Sequence, residues 1–292
     1  MPQPSRDPIT LTPGELRAWP LPSGADSKYA RGQVIVIGGA RLAPGGALLA
    51  GTAALRVGAG RLTMGVGESV AVPLAVAVPE AGVVGLAETP AGAVRGDELD
   101  RLAGELADAD AVVLGSGLDD ADQAGVMVAA LPALLGSSTS LLLGAFALGA
   151  LPGLGDDFSP ADKLVLTPNP AEAAILLGRE IEDLERDLLS IAARFGATVS
   201  CQGVIAAPDG QRWLVGTGQG GLGTSGSGDV LAGAIGGLLA RGAPPEQAAC
   251  WGTYLHAAAG ERLNARVGPT GYLARELLPE LPVLLAELGQ RA

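Results

Sequence analysis

Residues 223–233 read GTSGSGDVLAG: a run of small residues, then the carboxylate of Asp229, then an apolar stretch with the composition of a helix. The first turn of a helix has unpaired N–H groups and the positive end of the helix dipole, which together attract phosphate. An aspartate at that place would repel the same anion. Two interpretations follow: Asp229 only caps the helix, or the loop binds phosphate while Asp229 acts as a base on another group.

Mostly small residues, interrupted by Gln219 and Leu222, continue on the N-terminal side of this loop as far as Gly216, which favours the functional interpretation. Asp229 is then predicted to accept a proton from a substrate hydroxyl. In phosphoryl transfer the base and the anion hole act on opposite sides of the reacting bond, so the two roles are compatible. The anion hole itself is predicted to consist of backbone N–H groups from Ser225, Gly226, Ser227 and Gly228.

Outward from this loop, strand-like and helical runs alternate along the chain. The strand QVIVI at 33–37 ends at two glycines, and an alanine- and leucine-rich helix follows at 45–59. Such alternation over the first two-thirds of the chain predicts an α/β fold with a mostly parallel central sheet and helices on both faces. A later antiparallel hairpin is predicted at the edge of the sheet near 203–215, around the turn Pro208-Asp209-Gly210.

Glycine-rich turns follow several of the predicted strands, at 38, 115, 144 and 218–228. Ligands of parallel sheets bind at the carboxyl ends of the strands, so we expect these turns to border one crevice. The patterns mark no helix or strand between 67 and 96. They predict single helices at 97–108 and at 271–287.

The composition predicts one large domain. Hydrophobic residues make up 48 % of the 292 residues and charged residues 17 %, so a sizeable core can be buried. Residues 1–27 are rich in proline and polar residues and are predicted to form an arm that packs on the body or on a neighbouring subunit. Residues 28–292 are predicted to form the single domain.

Charge and hydropathy exclude several classes of partner. The formal net charge is −12 and no cluster of Lys and Arg occurs, which argues against a nucleic-acid or anionic-membrane surface. No apolar run is long enough to cross a bilayer. Cys201 and Cys250 are far apart in apolar surroundings, as expected of buried thiols in a reducing compartment. We therefore expect a cytoplasmic protein. The lone histidine, His256, is predicted to be a packed residue and not a catalyst.

Four stretches, in order along the chain, resemble the ADP/ATP-dependent NAD(P)H-hydrate dehydratases of the ribokinase-like superfamily. GTSGSGDVLAG is similar to the GTGDxLAG signature of that superfamily. The other three are GQVIVIGGARLAPGGALLAGTAALRVGAG at 32–60, ADAVVLGSGL at 109–118 and LTPNPAEAAILLG at 166–178, which resemble a strand–glycine–helix signature, the GPGLG turn and the LTPHPGE motif. The resemblance covers roughly residues 15 to 285.

The resemblance implies a ribokinase-like three-layer α/β/α sandwich without a separate lid. It implies an enzyme that uses ADP or ATP with Mg²⁺ to phosphorylate the hydroxyl of hydrated NADH or NADPH, after which elimination restores the cofactor. Asp229 corresponds to the base, and the hydrate would contact Gly46, Gly117 and Asn169. The adenylate portion of the nucleotide would contact Gln202, Gly203, Val204, Ile205 and Ala206. Glu172 is the candidate for holding the metal, with a structural role at its helix start as the alternative.

The chain departs from the family pattern at several of these places. Gly144-Ala145-Phe146 stands where the family has Asp-Ala-Asp, Asn169 replaces a histidine, and Gln202 replaces a lysine. Two alternatives therefore stay open: a kinase of a small alcohol, vitamin precursor or sugar, and a nucleotide-binding member with weak or no catalysis. We expect a homo-oligomer, with a tetramer as the specific prediction.

Overall fold

The computed structural model describes residues 7–23, 27–154, 163–218 and 220–289. Within them, ten strands form one sheet in the order β1-β10-β9-β8-β7-β6-β5-β2-β3-β4. All neighbouring strands are parallel except at β9, which runs antiparallel to both β8 and β10. The strands are β1 Ile9–Leu11, β2 Gln33–Ile37, β3 Arg61–Gly67, β4 Ala81–Leu86, β5 Ala111–Leu114, β6 Ser140–Gly144, β7 Leu164–Thr167, β8 Ala197–Cys201, β9 Val204–Ala206 and β10 Arg212–Val215.

Helices cover both faces of the sheet, as the alternation predicted. On one face α2, α8, α9 and the C-terminal helices enclose one hydrophobic core, and on the other α4 to α7 enclose a second. Two 3₁₀ segments, Gly96–Leu102 and Ala145–Gly153, belong to the second face. The α-helices are α1 Pro13–Ala18, α2 Pro44–Arg56, α3 Glu68–Ala77, α4 Ala103–Ala107, α5 Ala121–Leu134, α6 Pro170–Leu177, α7 Leu184–Phe195, α8 Ser227–Ala240, α9 Pro245–Val267, α10 Ala274–Leu277 and α11 Glu280–Glu287.

The predicted α/β/α sandwich is confirmed, and the arm turns out to take part in it. Strand β1 pairs in parallel with β10 and becomes the outermost strand, so the β9–β10 hairpin lies one strand in from the edge. Trp19, just after α1, stacks on Trp213 of β10 at 6.0 Å between ring centroids. Residues 1–6 and 24–26 of the predicted arm lie outside the described residues.

Three sequence expectations about helices were wrong. The stretch between 67 and 96 contains α3 and β4, which carry a nearly continuous apolar run without the periodicity that marks a helix or a strand. The predicted helix at 97–108 divides into a 3₁₀ segment and the short α4. The predicted helix at 271–287 divides into α10 and α11, because Pro279 has no N–H to continue the helix.

Candidate active site

The glycine-rich loop leads from β10 into α8 at the carboxyl ends of the parallel strands. The helix begins at Ser227, its N-cap is Gly226 with a left-handed φ of 87°, and no described side chain caps it. Asp229 is therefore the third residue of the helix and not its cap. The left-handed backbone favours glycine at Gly226, and a Cβ atom there would also displace the end of the Leu49 side chain.

The start of α8 presents free backbone donors. Ser225 and Gly228 are exposed, and no described group accepts a hydrogen bond from the N–H of Ser225, Gly226 or Gly228. The N–H of Ser227, by contrast, donates to the carbonyl of Thr224 at 3.1 Å. Three of the four predicted anion-hole residues thus retain a free donor at the positive end of a 14-residue helix.

Burial opposes the negative charge of Asp229. It raises the pKa of the carboxyl group above its usual value, and a hydrogen bond with the Ser116 side chain lowers it in part. Ser116 itself is buried in the turn after β5. A carboxylate with a raised pKa and one supporting hydrogen bond can act as a general base closer to neutral pH than an exposed aspartate.

Glu172 is a second carboxylate near Asp229. It closes a capping box at the start of α6: its side chain accepts from the Asn169 N–H at 2.8 Å, and its own N–H donates to Asn169 Oδ1 at 2.9 Å. Burial raises the pKa of Glu172, and the charge of Asp229 raises it further. Its charge in turn contributes to raising the pKa of the Cys201 thiol to about 12, after burial as the main cause. The structural role of Glu172 at its helix start is confirmed, and its role in holding a metal stays a prediction.

The turns after β2 and β5 cross in close backbone contact. Gly39 N–H donates to the Ser116 carbonyl at 2.9 Å. A Cβ atom on Gly46, at the start of α2, would lie only 2.6 Å from the nitrogen of Gly117. The predicted substrate residues Gly46 and Gly117 therefore touch each other, beside the serine that supports Asp229. Asn169 lies at the end of β7, two strands away in the same sheet.

The predicted adenylate residues divide into two groups. Gln202 and Gly203 form the β8–β9 turn at the carboxyl edge, where Gln202 is exposed with a φ of 48° and Gly203 has a φ of 80°. Val204, Ile205 and Ala206 form β9, and their side chains are buried in the two cores. Of these five residues, only Gln202 has an exposed side chain.

Two residues were missed as parts of the site. Ser116 could have been noticed from its place between two glycines at the end of a strand. His256 was correctly predicted to be packed, yet its partner is in the loop itself: its Nε2 lies 2.9 Å from the Ser227 hydroxyl.

At the position of the family's Asp-Ala-Asp, Gly144 ends β6, Ala145 has a φ of 49° and Phe146 is exposed.

The described residues also bear on the sequence expectations about metals, membranes and thiols. Within residues 7–23, 27–154, 163–218 and 220–289, no three His, Cys, Asp or Glu side chains converge as a metal cage. No helix in that part of the chain is both long and apolar enough to cross a membrane. Both cysteines are buried free thiols, as predicted.

Comparison with known proteins agrees with this geometry. The family model described as NAD(P)H-hydrate dehydratase matches residues 34–283. The chain is 40% identical over 289 residues, 96% of either chain, to the ADP-dependent (S)-NAD(P)H-hydrate dehydratase of Xanthomonas campestris. It is 39% identical to the bifunctional NAD(P)H-hydrate repair enzyme Nnr of Moorella thermoacetica, of which the match spans 42%.

Among solved structures, the ADP/ATP-dependent NAD(P)H-hydrate dehydratase of Bacillus subtilis, co-crystallised with ATP and Mg²⁺, superimposes with a TM-score of 0.81. The two chains are 28% identical, and the match covers 96% of this chain and 98% of that one. Sequence, fold and the arrangement around Asp229 lead to the same conclusion. The chain belongs to the NAD(P)H-hydrate dehydratase family.

Proposed function

We propose that this protein dehydrates hydrated NADH and NADPH with ADP or ATP as phosphoryl donor, and so repairs nicotinamide cofactors. The observation that carries the proposal is the pairing of free N–H donors at the start of α8 with the half-buried carboxylate of Asp229 on the same helical turn. The donors suit a phosphoryl group, and the carboxylate suits the hydroxyl that attacks it.

Asp229 removes the proton of the ring hydroxyl as the hydroxyl oxygen attacks the terminal phosphoryl group. The oxygen–phosphorus bond forms while the bond to the nucleotide breaks, and negative charge on the transferred group is stabilised by the N–H groups of Ser225, Gly226 and Gly228. The phosphate ester is a far better leaving group than hydroxide. Its elimination, with loss of a ring proton, restores the double bond of the dihydronicotinamide.

The remaining assignments divide the crevice between two ligands. Gly46 and Gly117 contact the hydrated nicotinamide, because they border Ser116, which supports Asp229. Asn169 contacts it from the side of Glu172, whose charge interacts with Asp229. Gln202 and Gly203 contact the adenylate portion of the nucleotide. Val204, Ile205 and Ala206 serve it indirectly, by holding that turn in register through the β9 ladder.

Glu172 fits the requirements of Mg²⁺. This ion is commonly held by one or two carboxylates together with phosphates and water, and not by an all-protein cage. Glu172 lies close enough to Asp229 for their charges to interact, so its carboxylate offers an oxygen ligand near the phosphate loop. When bound, Mg²⁺ would neutralise phosphate charge there. We propose Glu172 as the residue that holds it.

A direct assay tests the proposed reaction. Hydrated NADH is mixed with the protein, Mg²⁺ and ADP or ATP, and the absorbance of reduced nicotinamide is followed. Recovery of the absorbance that depends on the nucleotide is expected. If the protein binds nucleotide but the absorbance never returns, the proposed reaction is wrong; phosphate transfer to a small alcohol in the same mixture would then identify a kinase.

The variant Asp229→Asn tests the role of the base. Loss of the carboxylate should reduce kcat by roughly 10²- to 10⁴-fold, the range that general bases contribute. Nucleotide affinity should survive, because the N–H donors are unchanged, and calorimetry with ADP or ATP measures it. An unchanged kcat in Asp229→Asn would show that another group takes the proton.

We also propose that the protein is a cytoplasmic homotetramer. The buried free thiols suit a reducing compartment. Exposed apolar side chains on α3, Val72 and Val76, suit a contact between subunits. Light scattering of the purified protein tests the subunit number.

A further inference from the structure

Several residues of the glycine-rich loop lie against helix α9. A Cβ atom on Gly218 would lie 2.7 Å from Cα of Ala257, and one on Gly260 would lie 2.7 Å from the Leu222 side chain. Asn264 Nδ2 lies 3.5 Å from the Gly220 carbonyl. Gly218, Gly220 and Leu222, which precede the phosphate donors, therefore lie against α9.

One polar contact joins α9 to the first residue of α8. Nε2 of His256, on α9, lies 2.9 Å from Oγ of Ser227, the first residue of α8. Both residues are buried, His256 with 7 % of its surface exposed and Ser227 with 3 %. A hydrogen bond enclosed in this way holds its two elements at a fixed distance, because water cannot replace either partner.

The hydrogen bond between His256 and Ser227 suits a neutral histidine ring near pH 7. Burial lowers the pKa of His256 to about 4, against a smaller opposing effect of a hydrogen bond with the Ser227 backbone. The ring is therefore neutral near pH 7 and has one donor and one acceptor nitrogen. Since the Ser227 N–H already donates to Thr224, both the hydroxyl and the N–H of Ser227 are engaged within the protein. Ser227 acts as an anchor between residues whose N–H groups are free.

We propose that His256 is a positioning residue of the dehydratase: through Ser227 it fixes the first turn of α8, and with it the direction of the Gly228 N–H and of the Asp229 carboxylate. This inference rests on the proposed function. The reasoning is geometric, because Gly228 and Asp229 directly follow Ser227 on one helical turn. Misplacing reacting groups by about 1 Å can lower the rate by roughly 10²-fold.

The test compares variants that remove the bond from either side. His256→Leu keeps an apolar side chain in the core without a hydrogen-bonding group, and Ser227→Ala removes the other partner. His256→Gln retains a polar group near the position of Nε2. The control is Thr253→Val, one turn away on α9, which breaks the buried bond between Thr253 and Ser200, 2.7 Å long, and does not touch the loop.

We expect His256→Leu and Ser227→Ala each to lower kcat by roughly 10- to 100-fold and to weaken ADP or ATP binding measured by calorimetry. KM for hydrated NADH should change little, because its predicted contacts lie on other turns. His256→Gln should recover most of the activity. The double variant should be no worse than the poorer single one, since both remove one bond. Thr253→Val should lower Tm alone.

Folded His256→Leu with unchanged kcat and nucleotide affinity would overturn the proposal, as would losses in the double variant that simply add. If His256→Leu does not fold, Ser227→Ala alone decides, because it leaves the core histidine in place: unchanged kcat and affinity would again overturn the proposal. Nucleotide affinity separates this test from that of the proposed function. A wild-type protein that binds nucleotide but does not dehydrate would refute the reaction, while the affinities of the variants would still test the anchor.

Discussion

At the scale of single residues, burial destabilises the charged form of Asp229, and one hydrogen bond offsets this effect only in part. Burial raises the pKa of this carboxyl group, and the Ser116 hydrogen bond lowers it. Glu172 has a raised pKa for the same main reason, to which the charge of Asp229 adds. Two carboxylates in one low-dielectric crevice repel each other, so a cation between them would be favoured.

The variant Ser116→Ala should shift the pH dependence of the enzyme. The Ser116 bond stabilises the charged form of Asp229, so its loss raises the pKa of the base further. Since the base must be ionised to accept a proton, the acid limb of the kcat/KM profile should move to higher pH. The rate should fall several-fold on that limb and stay near the wild-type value on the alkaline plateau.

Ser137→Ala, an exposed serine at the opposite end of the strands, is the matched control and should leave the profile unchanged. A profile of Ser116→Ala that coincides with the wild type would mean that the serine does not support the ionised base. Both profiles are measured from initial rates with hydrated NADH and saturating nucleotide.

At the scale of elements, the site depends on how closely α8 approaches α2. Helix α2 begins at the turn that contacts Gly117, and α8 begins at Asp229's loop. Small residues let the two helices touch: a Cβ atom on Gly233 would lie 2.0 Å from the Ala50 carbonyl oxygen. Their separation thus sets the distance between the proposed substrate contacts and the base.

Gly233→Ala should destabilise the protein by about 1 kcal/mol, because overpacking against a backbone carbonyl costs ~1–3 kcal/mol. Alanine's better helix propensity, worth ~1 kcal/mol, only partly offsets this cost. Urea unfolding measures the free energy, and kcat should fall as the helices separate. Gly104→Ala is the control: Gly104 is exposed in α4 with open space around it, so its stability should be unchanged or slightly higher. Equal stabilities of the two variants would contradict the close contact.

At the scale of the whole molecule, the N-terminal segment is tied to the body by polar and apolar contacts. The Trp251 indole N–H and the Gln247 side chain both donate to the Trp19 carbonyl, at 3.0 and 3.1 Å. Leu16 of α1 is fully buried in the core beneath α9. The segment also supplies β1, which covers the edge of β10 and so supports the strand that leads into the glycine-rich loop.

Leu16→Ala should therefore reduce stability like a central core substitution, by ~2–5 kcal/mol. For a domain of this size, 1 kcal/mol corresponds to roughly 2–4 °C in Tm, so calorimetry should detect a clear fall. Ile9→Ala on β1 removes a side chain that is 39 % exposed and should have a much smaller effect. If both variants have the same Tm as the wild type, the N-terminal segment does not contribute to the core.

The sequence by itself determined the layers of the fold and named Asp229 as the candidate base. Alternating apolar runs fix parallel strands and covering helices wherever periodicity is clear, and GTSGSGDVLAG places Asp229 at a helix start whatever surrounds it. The same local signals failed for α3 and β4, where the run is apolar throughout, and for the 271–287 stretch, where Pro279 interrupts the helix despite the apolar pattern.

Only the tertiary structure decided what surrounds that base. Ser116, Glu172 and His256 are far apart in sequence, and their relation to Asp229 or to its loop arises from strand order and from the packing of α9 against α8. Likewise, no local pattern pairs β1 with β10, because that contact joins residues about 200 positions apart. Local periodicity shows which side of an element is apolar, but which partner covers that side depends on long-range packing. The sequence therefore pointed to Asp229 as the candidate base, and only the fold determined its burial, its hydrogen bond and its neighbours.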